Sequence, residues 1–389
     1  MATNTDIPQG YKATALGIIP QEWEVKKLGE VGKLLSGLTY TPSNIQSDGI
    51  LVLRSSNIQN GVLAFDDNVY VNVSSYTPVK AGDILICVRN GSQNLIGKTA
   101  LITQEAEGCA FGAFMAVFRS SISKYVFYLL GTELYRKYIF RNLGATINSI
   151  NGSDLKKFRF PFPPLAEQRK IAEVLGVWDE AIEKQARLIE KLALRKRALM
   201  QRLLSAKLRL PGFSEPWKKV KLGDVAELYQ PQTIQSEDLS QTGYPVYGAN
   251  GLIGYYNSYN HEYPQVVITC RGSSCGTVNF TPGKCWITGN AMVLNVDNNR
   301  DVNKSFFYYL ISNSSFVNLI SGSGQPQIVR QPLLKFELHI PTLKEQTAIA
   351  EVLTAADREI ELAKEKLERL RRQKRGLMQQ LLTGKKRVI

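Results

Sequence analysis

Residues 165–204 read LAEQRKIAEVLGVWDEAIEKQARLIEKLALRKRALMQRLL, and residues 343–382 read LKEQTAIAEVLTAADREIELAKEKLERLRRQKRGLMQQLL. The two stretches align without a gap and are identical at 20 of 40 positions. A repeat of this length, present near mid-chain and again near the C-terminus, predicts that the protein contains two copies of one structural unit.

Both stretches carry apolar residues at alternating spacings of four and three, which is the a/d seam of a coiled coil. Neither contains proline, and a helix of this length would be about 60 Å long. The alternative is that each stretch forms an amphipathic helix that packs only on its own domain. The matched lysines Lys196 and Lys374 favour pairing of the two helices with each other. The predicted pairing residues are Ile171, Leu175, Trp178, Ile182, Ile189, Leu192, Leu199, Ile349, Leu353, Ile360, Leu367, Leu370 and Leu377.

The duplication extends beyond the helices, because WEVKKLGEV at 23–31 matches WKKVKLGDV at 217–225. Between each tryptophan and its helix, short apolar runs broken by Gly, Asn, Ser and Asp predict β-strands. These runs include 50–53, 69–73, 84–88, 99–102 and 115–118 in the first unit, and 266–269, 277–280 and 291–296 in the second. Short helices are predicted at 124–130 and 304–310. Each unit is therefore expected to be a β-rich α+β domain followed by a long helix.

The formal net charge of +14 suggests an anionic partner. However, residues 166–210 and 344–389 together carry +10 of it. Acidic residues come early and basic residues late in each helix, an order that complements the helix dipole and an antiparallel pair. Part of the positive charge is therefore expected to be structural.

The sequence contains no recognisable catalytic motif. The segment 91–99 resembles a phosphate-binding loop, but five residues instead of four separate its glycines, and a strand rather than a helix follows. The five cysteines form no C-x-x-C pair and only two histidines are present, so we expect no zinc site. No run approaches the ~18 apolar residues of a membrane span, and the N-terminus lacks an apolar signal core, so we expect a cytoplasmic protein.

Nucleic-acid binding is better supported, because polar side chains follow apolar strands in both units. Arginine and asparagine can hydrogen-bond guanine and adenine edges, while serine and lysine commonly contact phosphate. Arg89 and Arg271 are the strongest candidates, since both copies place an arginine just past an apolar strand. The full set of predicted DNA contacts is Arg54, Asn57, Arg89, Asn90, Ser92, Lys98, Tyr247, Asn250, Arg271, Ser273 and Ser274.

The chain resembles the specificity subunits of type I restriction–modification systems. The resemblance spans nearly the whole sequence and rests on four motifs. These are Tyr11-Lys12 through Ile19-Pro20-Gln21-Glu22-Trp23, the helix start Pro164-Leu165-Ala166-Glu167-Gln168, the repeated Leu-Met-Gln-x-Leu-Leu at 199–204 and 377–382, and Gly-Ala-Asn-Gly-Leu-Ile-Gly-Tyr at 248–255.

This resemblance implies two target-recognition domains that alternate with two long helices, paired as an antiparallel coiled coil with pseudo-twofold symmetry. The expected boundaries are 1–163 and 207–340 for the domains, and 164–206 and 341–389 for the helices with the C-terminal tail. Each domain would read one half of an asymmetric, two-part site on double-stranded DNA, and the helices would set the gap between the halves.

The resemblance also implies a subunit without catalytic activity or cofactor of its own. Two modification subunits would bind S-adenosylmethionine, and ATP and Mg²⁺ would be used by partner subunits that include the restriction ATPase-nuclease. The alternative that the residues leave open is a coiled-coil scaffold without sequence-specific DNA binding. A stand-alone methyltransferase is a third, disfavoured by the missing motifs.

Overall fold

The computed structural model of the chain describes residues 7–143, 148–248, 250–322 and 324–388. It forms two compact units, unit 1 (Met1–Lys184 and Leu367–Ile389) and unit 2 (Gln185–Lys366). Each unit combines one globular domain with part of both long helices. Residues 1–6 of the N-terminus, and Ala249 in the 248–255 motif, lie outside the described residues.

The globular part of unit 1 is built from short strands and helices. Its strands are β1 (Tyr11–Thr14), β2 (Gly17–Pro20), β3 (Glu24–Lys27), β4 (Lys33–Ser36), β5 (Ile45–Gln46), β6 (Ile50–Leu53), β7 (Ile58–Gln59), β8 (Val62–Leu63), β9 (Tyr70–Val71), β10 (Ile84–Cys87), β11 (Thr99–Leu101), β12 (Ala110–Phe111), β13 (Met115–Arg119) and β14 (Arg159–Phe162). Its helices are α1 (Leu28–Val31), α2 (Ser123–Leu129), α3 (Glu133–Asn142) and α4 (Gly152–Lys157). The first long helix, α5 (Leu165–Leu203), follows.

The central sheet of unit 1 is antiparallel and has the order β11-β10-β13-β4. All four residues of β10 are buried, because the run Ile-Leu-Ile-Cys is apolar on both faces of the strand. A second sheet, β12-β6-β9-β5, contains the parallel pair β6–β12. The ends of β6 and β10 carry most of the predicted DNA contacts of this unit.

Unit 2 repeats this plan. Its strands are β15 (Lys218–Lys221), β16 (Glu227–Tyr229), β17 (Tyr244–Gly248), β18 (Gly251–Tyr256), β19 (Val266–Thr269), β20 (Val278–Phe280), β21 (Trp286–Ile287), β22 (Ala291–Asn295) and β23 (Glu337–Ile340). Its helices are α6 (Leu222–Val225), α7 (Lys304–Ser312), α8 (Arg330–Leu334) and the second long helix, α9 (Leu343–Leu381).

The sheets of unit 2 match those of unit 1 strand for strand at their centre. The order β16-β22-β19-β20 places the fully buried β19 beside β22, as β10 lies beside β13. The parallel pair β17–β21 corresponds to β6–β12. The predicted fold class, two β-rich α+β domains with two long helices, is confirmed.

Both long helices end in the same way. Residues Ala206 and Gly384 follow the two C-termini at equivalent positions and both have positive φ, 57° and 72°. Behind them, Leu208 N–H donates to the Arg202 carbonyl and Lys386 N–H to the Gln380 carbonyl. This left-handed turn is a common helix terminator and favours glycine, which only one of the two copies has.

The predicted pairing residues divide between two environments. Ile171 and Leu175 join the core of unit 1, and Ile349 and Leu353 join the core of unit 2. By contrast, a small cluster in unit 2 is formed by the two helices alone, from Ile189, Leu192, Ile360 and Ala363. Leu367 is buried, Leu199 and Leu377 are partly buried against the unit cores, and Trp178, Ile182 and Leu370 are half-buried. Each helix therefore packs partly on a domain and partly on the other helix.

The lysines that mark the two seams each bind an aspartate of the other helix. In unit 2, Lys196 pairs with Asp357, and Asp357 accepts a 2.7 Å hydrogen bond from Tyr309 on α7. In unit 1, Lys374 pairs with Asp179, which accepts a 2.8 Å bond from the Tyr128 hydroxyl on α2. A residue late in one helix thus meets a residue early in the other, so the pair is antiparallel.

These two Lys–Asp–Tyr triads also attach each domain to the helices. The lysine ammonium lies over the ring of its tyrosine, 5.3 Å from Tyr309 and 5.1 Å from Tyr128. Burial, together with the neighbouring carboxylate, raises the pKa of both tyrosine hydroxyls. Each hydroxyl therefore remains protonated and acts as a donor to its aspartate.

The Glu-Gln at the start of each long helix has a matching structural use. Glu167 accepts two hydrogen bonds from Arg387 (2.7 and 2.9 Å), and Glu345 accepts two from Arg209 (2.6 and 2.8 Å). Both glutamates are nearly fully buried, so a bidentate guanidinium is the partner they require. The segment that trails each helix is therefore fixed to the beginning of the other.

Candidate nucleic-acid interface

Arg89 of unit 1 is presented by a backbone bracket at the end of β10. The N–H groups of Val88 and Arg89 donate to the Phe114 carbonyl at 3.0 and 3.1 Å, and Ile150 N–H donates to the Val88 carbonyl at 2.9 Å. The Arg89 side chain is exposed, and its guanidinium lies 5.6 Å from the centre of the Phe114 ring. No carboxylate pairs with it among the described residues.

Arg271 of unit 2 is held by the same bracket at the end of β19. Cys270 N–H donates to the Asn290 carbonyl at 3.1 Å, and Ile328 N–H donates to the Cys270 carbonyl at 3.0 Å. Arg271 is exposed, and its guanidinium has no hydrogen bond or ion pair within the part of the chain that the structure describes. Two equivalent arginines on hydrogen-bonded backbone, neither paired with a carboxylate of the described residues, suit an anionic or base-edge ligand.

The loop after Arg89 is tied to the loop after β6. Asn90 donates from Nδ2 to Ser55 Oγ at 2.9 Å and accepts at Oδ1 from Ser92 N–H at 2.9 Å. These bonds bring the predicted contacts Arg54 and Ser92 onto neighbouring loops. They use one N–H and one acceptor position of the Asn90 amide, so Asn90 ties the two loops together.

Asn57, one of the predicted DNA contacts, is not exposed in this structure. Its side chain is fully buried, with Oδ1 accepting from Arg54 N–H at 2.9 Å and Nδ2 donating to the Ala64 carbonyl at 2.9 Å. Asn57 shapes the loop instead. Arg54 is available but partly neutralised, because Asp67 pairs with its Nη2 at 2.9 Å.

A groove of about 640 Å³ connects these features in unit 1. Its lining includes Tyr40, Arg54, Ser55, Asp67 and Phe114. Lys98, although exposed, lines a different concavity of about 490 Å³ with Arg136 and Phe140. Gln93 and Asn94, which follow Arg89 in the same loop, also line this second concavity. Arg54 and Lys98 therefore lie in different concavities, and the loop after Arg89 contributes to the one that contains Lys98.

The profile of the family described as "type I restriction modification DNA specificity domain" matches residues 20–193 and 214–372. The chain belongs to this family.

Similar proteins match either nearly the whole chain or part of it. The putative type I restriction enzyme MjaX specificity subunit of Methanocaldococcus jannaschii is 27% identical over 418 residues, 98% of this chain and 97% of that protein. The EcoKI specificity subunit of Escherichia coli K12 is 33% identical over 170 residues, 41% of this chain and 36% of that protein. The crystal structure of the type I S subunit from M. genitalium has a TM-score of 0.61 at 18% identity and covers 98% and 99% of the two chains. That structure shares the fold.

In unit 2 of this specificity-family chain, the remaining predicted contacts lie in two places. Ser273 and Ser274 belong to the loop after Arg271, which closes where Gly276 N–H donates to the Thr269 carbonyl at 2.9 Å. Asn250 is exposed at the turn between β17 and β18. Tyr247 is half-buried in β17 and packs against the core cluster that includes Val267 and Cys285. The equivalent loop in unit 1, from Cys87 to Gly97, is three residues longer.

Sequence reasoning missed the segments that supply the brackets. Residues 112–114 and 288–290 lie opposite the two arginines, yet they carry no charge or motif. The only signal was that Cys109 and Cys285 begin similar aromatic segments. The described residues hold no group of three or more His, Cys, Asp or Glu side chains placed to bind a metal, and no helix among them is long and apolar enough to cross a membrane.

Proposed function

We propose that this chain is the DNA-specificity subunit of a type I restriction–modification complex. Each globular domain reads one half of a two-part target on double-stranded DNA, and the length of the helices sets the gap between the halves. One combined observation carries the proposal. The family match covers both repeats, and each repeat holds an exposed arginine at the same bracket, without an ion-pair partner among the described residues.

The two domains are expected to read different bases. Their frames are equivalent, but the loop after Arg89 is longer than the loop after Arg271, and Arg54 has Gly248 at its counterpart position, one residue past the parallel strand pair. Different side chains on a shared frame give different base preferences. The target is therefore asymmetric.

The subunit works with partners that perform the chemistry. We infer that two modification subunits dock on the long helices, bind S-adenosylmethionine and methylate the target, and that restriction subunits add ATP- and Mg²⁺-dependent cleavage. The chain itself contributes recognition and spacing and no catalytic group. We propose that it acts on DNA in the cytoplasm.

Selection from a random-sequence DNA pool tests the proposal. The full chain, alone and with its modification subunits, should enrich two short motifs separated by a fixed gap. The alternative function, a coiled-coil scaffold without sequence preference, predicts that no motif is enriched under either condition. That outcome would remove the proposed function.

A further inference from the structure

The loops opposite Arg89 and Arg271 share most of their backbone hydrogen bonds. Gly112 N–H donates to the carbonyl of Leu53, and Thr288 N–H to that of Tyr247, both at 3.0 Å. Three residues later in each loop, Met115 N–H donates to the Gly112 carbonyl at 2.8 Å and Ala291 N–H donates to the Thr288 carbonyl at 3.0 Å. The residue before each strand then supplies the carbonyl of the arginine bracket. These residues are Phe114 in unit 1 and Asn290 in unit 2.

Phe114 is an exposed aromatic residue in the groove that also contains Arg54 and Ser55. Its side chain is 55% exposed, although the neighbouring Met115 is buried. The ring is covered on one side by the Arg89 guanidinium and otherwise lines the groove that contains Arg54 and Ser55. A phenylalanine held in this way presents an apolar surface at the position where the arginine would meet DNA.

Asn290 presents the opposite chemistry at the same position. It is exposed, and its side-chain amide makes no hydrogen bond with any other residue in the described ranges, while its carbonyl is fixed by Cys270. Its carbonyl is held by a hydrogen bond, and its amide is available for a ligand. A free amide on fixed backbone can make two hydrogen bonds to one ligand.

In the major groove, thymine is the base that presents a methyl group, and adenine presents the acceptor and donor pair that matches an asparagine amide. We propose that Phe114 and Asn290 are base-reading residues, Phe114 packing on a thymine methyl in one half-site and Asn290 bonding an adenine in the other. The inference rests on the proposed function and adds to it a single structural position whose side chain distinguishes the two half-sites.

Base analogues provide a direct test with the full chain and its modification subunits. After selection defines the wild-type target, deoxyuridine replaces each thymidine in turn, which removes only the methyl group. One position in the half-site of unit 1 should lose about fourfold in affinity, the value of one buried methyl-sized group. The F114A variant should bind thymine and uracil equally at that position, and F114L should keep the preference.

The matching test in unit 2 replaces each adenine with 7-deazaadenine, which lacks the N7 acceptor. N290A should lose about 5- to 150-fold discrimination for adenine at one position of the second half-site only. F140A is the control, because Phe140 is 59% exposed on α3 and does not line the groove that contains Arg54 and Phe114. It should alter no base preference.

The outcomes distinguish a failure of the proposed function from a failure of the roles assigned to Phe114 and Asn290. If the wild type enriches no two-part site, the proposed function fails. If it enriches such a site, and F114A and N290A leave every base preference unchanged, only the assignment of these two residues is overturned. Equal loss at all positions of a half-site also overturns it, because that pattern indicates a loss of general affinity and not of base reading.

Discussion

Replacing Asp357 with asparagine should loosen the attachment of the unit 2 domain to the helix pair. Asp357 joins three elements, because Lys196 comes from α5, Tyr309 from α7 and Asp357 itself from α9. Asparagine keeps the size of the side chain and an acceptor oxygen for Tyr309. It removes the negative charge that Lys196 and the Tyr309 hydroxyl contact.

The expected loss in free energy follows from the solvent exposure of the Lys196 and Asp357 side chains. The side chains of Lys196 and Asp357 are 20% and 39% exposed, so the ion pair contributes about 0.5–1 kcal/mol, as partly solvated pairs do. Changing the Tyr309 bond from a charged to a neutral acceptor costs about 1 kcal/mol more. D357N should therefore lower the local free energy of opening by about 1.5–2 kcal/mol, and K196M by about 0.5–1 kcal/mol.

Native-state hydrogen exchange, read on peptides from 185–366, measures these energies within unit 2. The double variant K196M/D357N should cost less than the sum of the single variants, because both remove one shared interaction. D179N, the equivalent change in unit 1, is the matched control and should reduce protection in its own unit. If K196M and D357N prove strictly additive, or if D357N leaves protection unchanged, the triad does not link the domain to the helices.

Three further changes test separate features. R271A should relax one half-site and cost about 1–3 kcal/mol in binding, measured on the selected target; an unchanged base preference would remove Arg271 from the base-reading residues. A206G should raise stability by about 0.5–1 kcal/mol in thermal unfolding, because alanine is strained at φ 57°, whereas no gain would mean that the turn tolerates alanine without cost. Deleting residues 182–188 and 364–370 removes about 10.5 Å from each helix and should shorten the preferred gap by about three base pairs in pool selection. An unaltered gap contradicts the spacing role.

The helices and central strands could be predicted because their signals are local. The heptad seams of 165–204 and 343–382 define α5 and α9 to within one residue at their ends. The runs 84–88 and 266–269 became β10 and β19, since an unbroken apolar run bounded by polar residues has few other places in a fold. The equivalence of Arg89 and Arg271 followed from these strands.

The contacts that shape the candidate site were not readable in advance. Asn57 is a polar loop residue by sequence, but its amide bonds to groups 3 to 11 residues away, which only the folded loop brings together. Phe114 and Asn290 share no chemistry, so only the matching positions of Cys109 and Cys285 related their segments in the two repeats. The bonds of Arg387 to Glu167 span 220 positions and left no periodic trace.

The attachment of each trailing segment to the opposite helix start also determines the order in which the protein can be completed. Unit 2 is continuous in sequence, so all its parts have been synthesised once residue 366 has emerged from the ribosome. Synthesis of unit 1 begins first, yet its core includes Leu381 and Leu382, and Glu167 pairs with Arg387. These three partners are among the last residues to be synthesised. The domain made first therefore reaches its final structure last, and until then the apolar residues that pack against Leu381 and Leu382 remain uncovered.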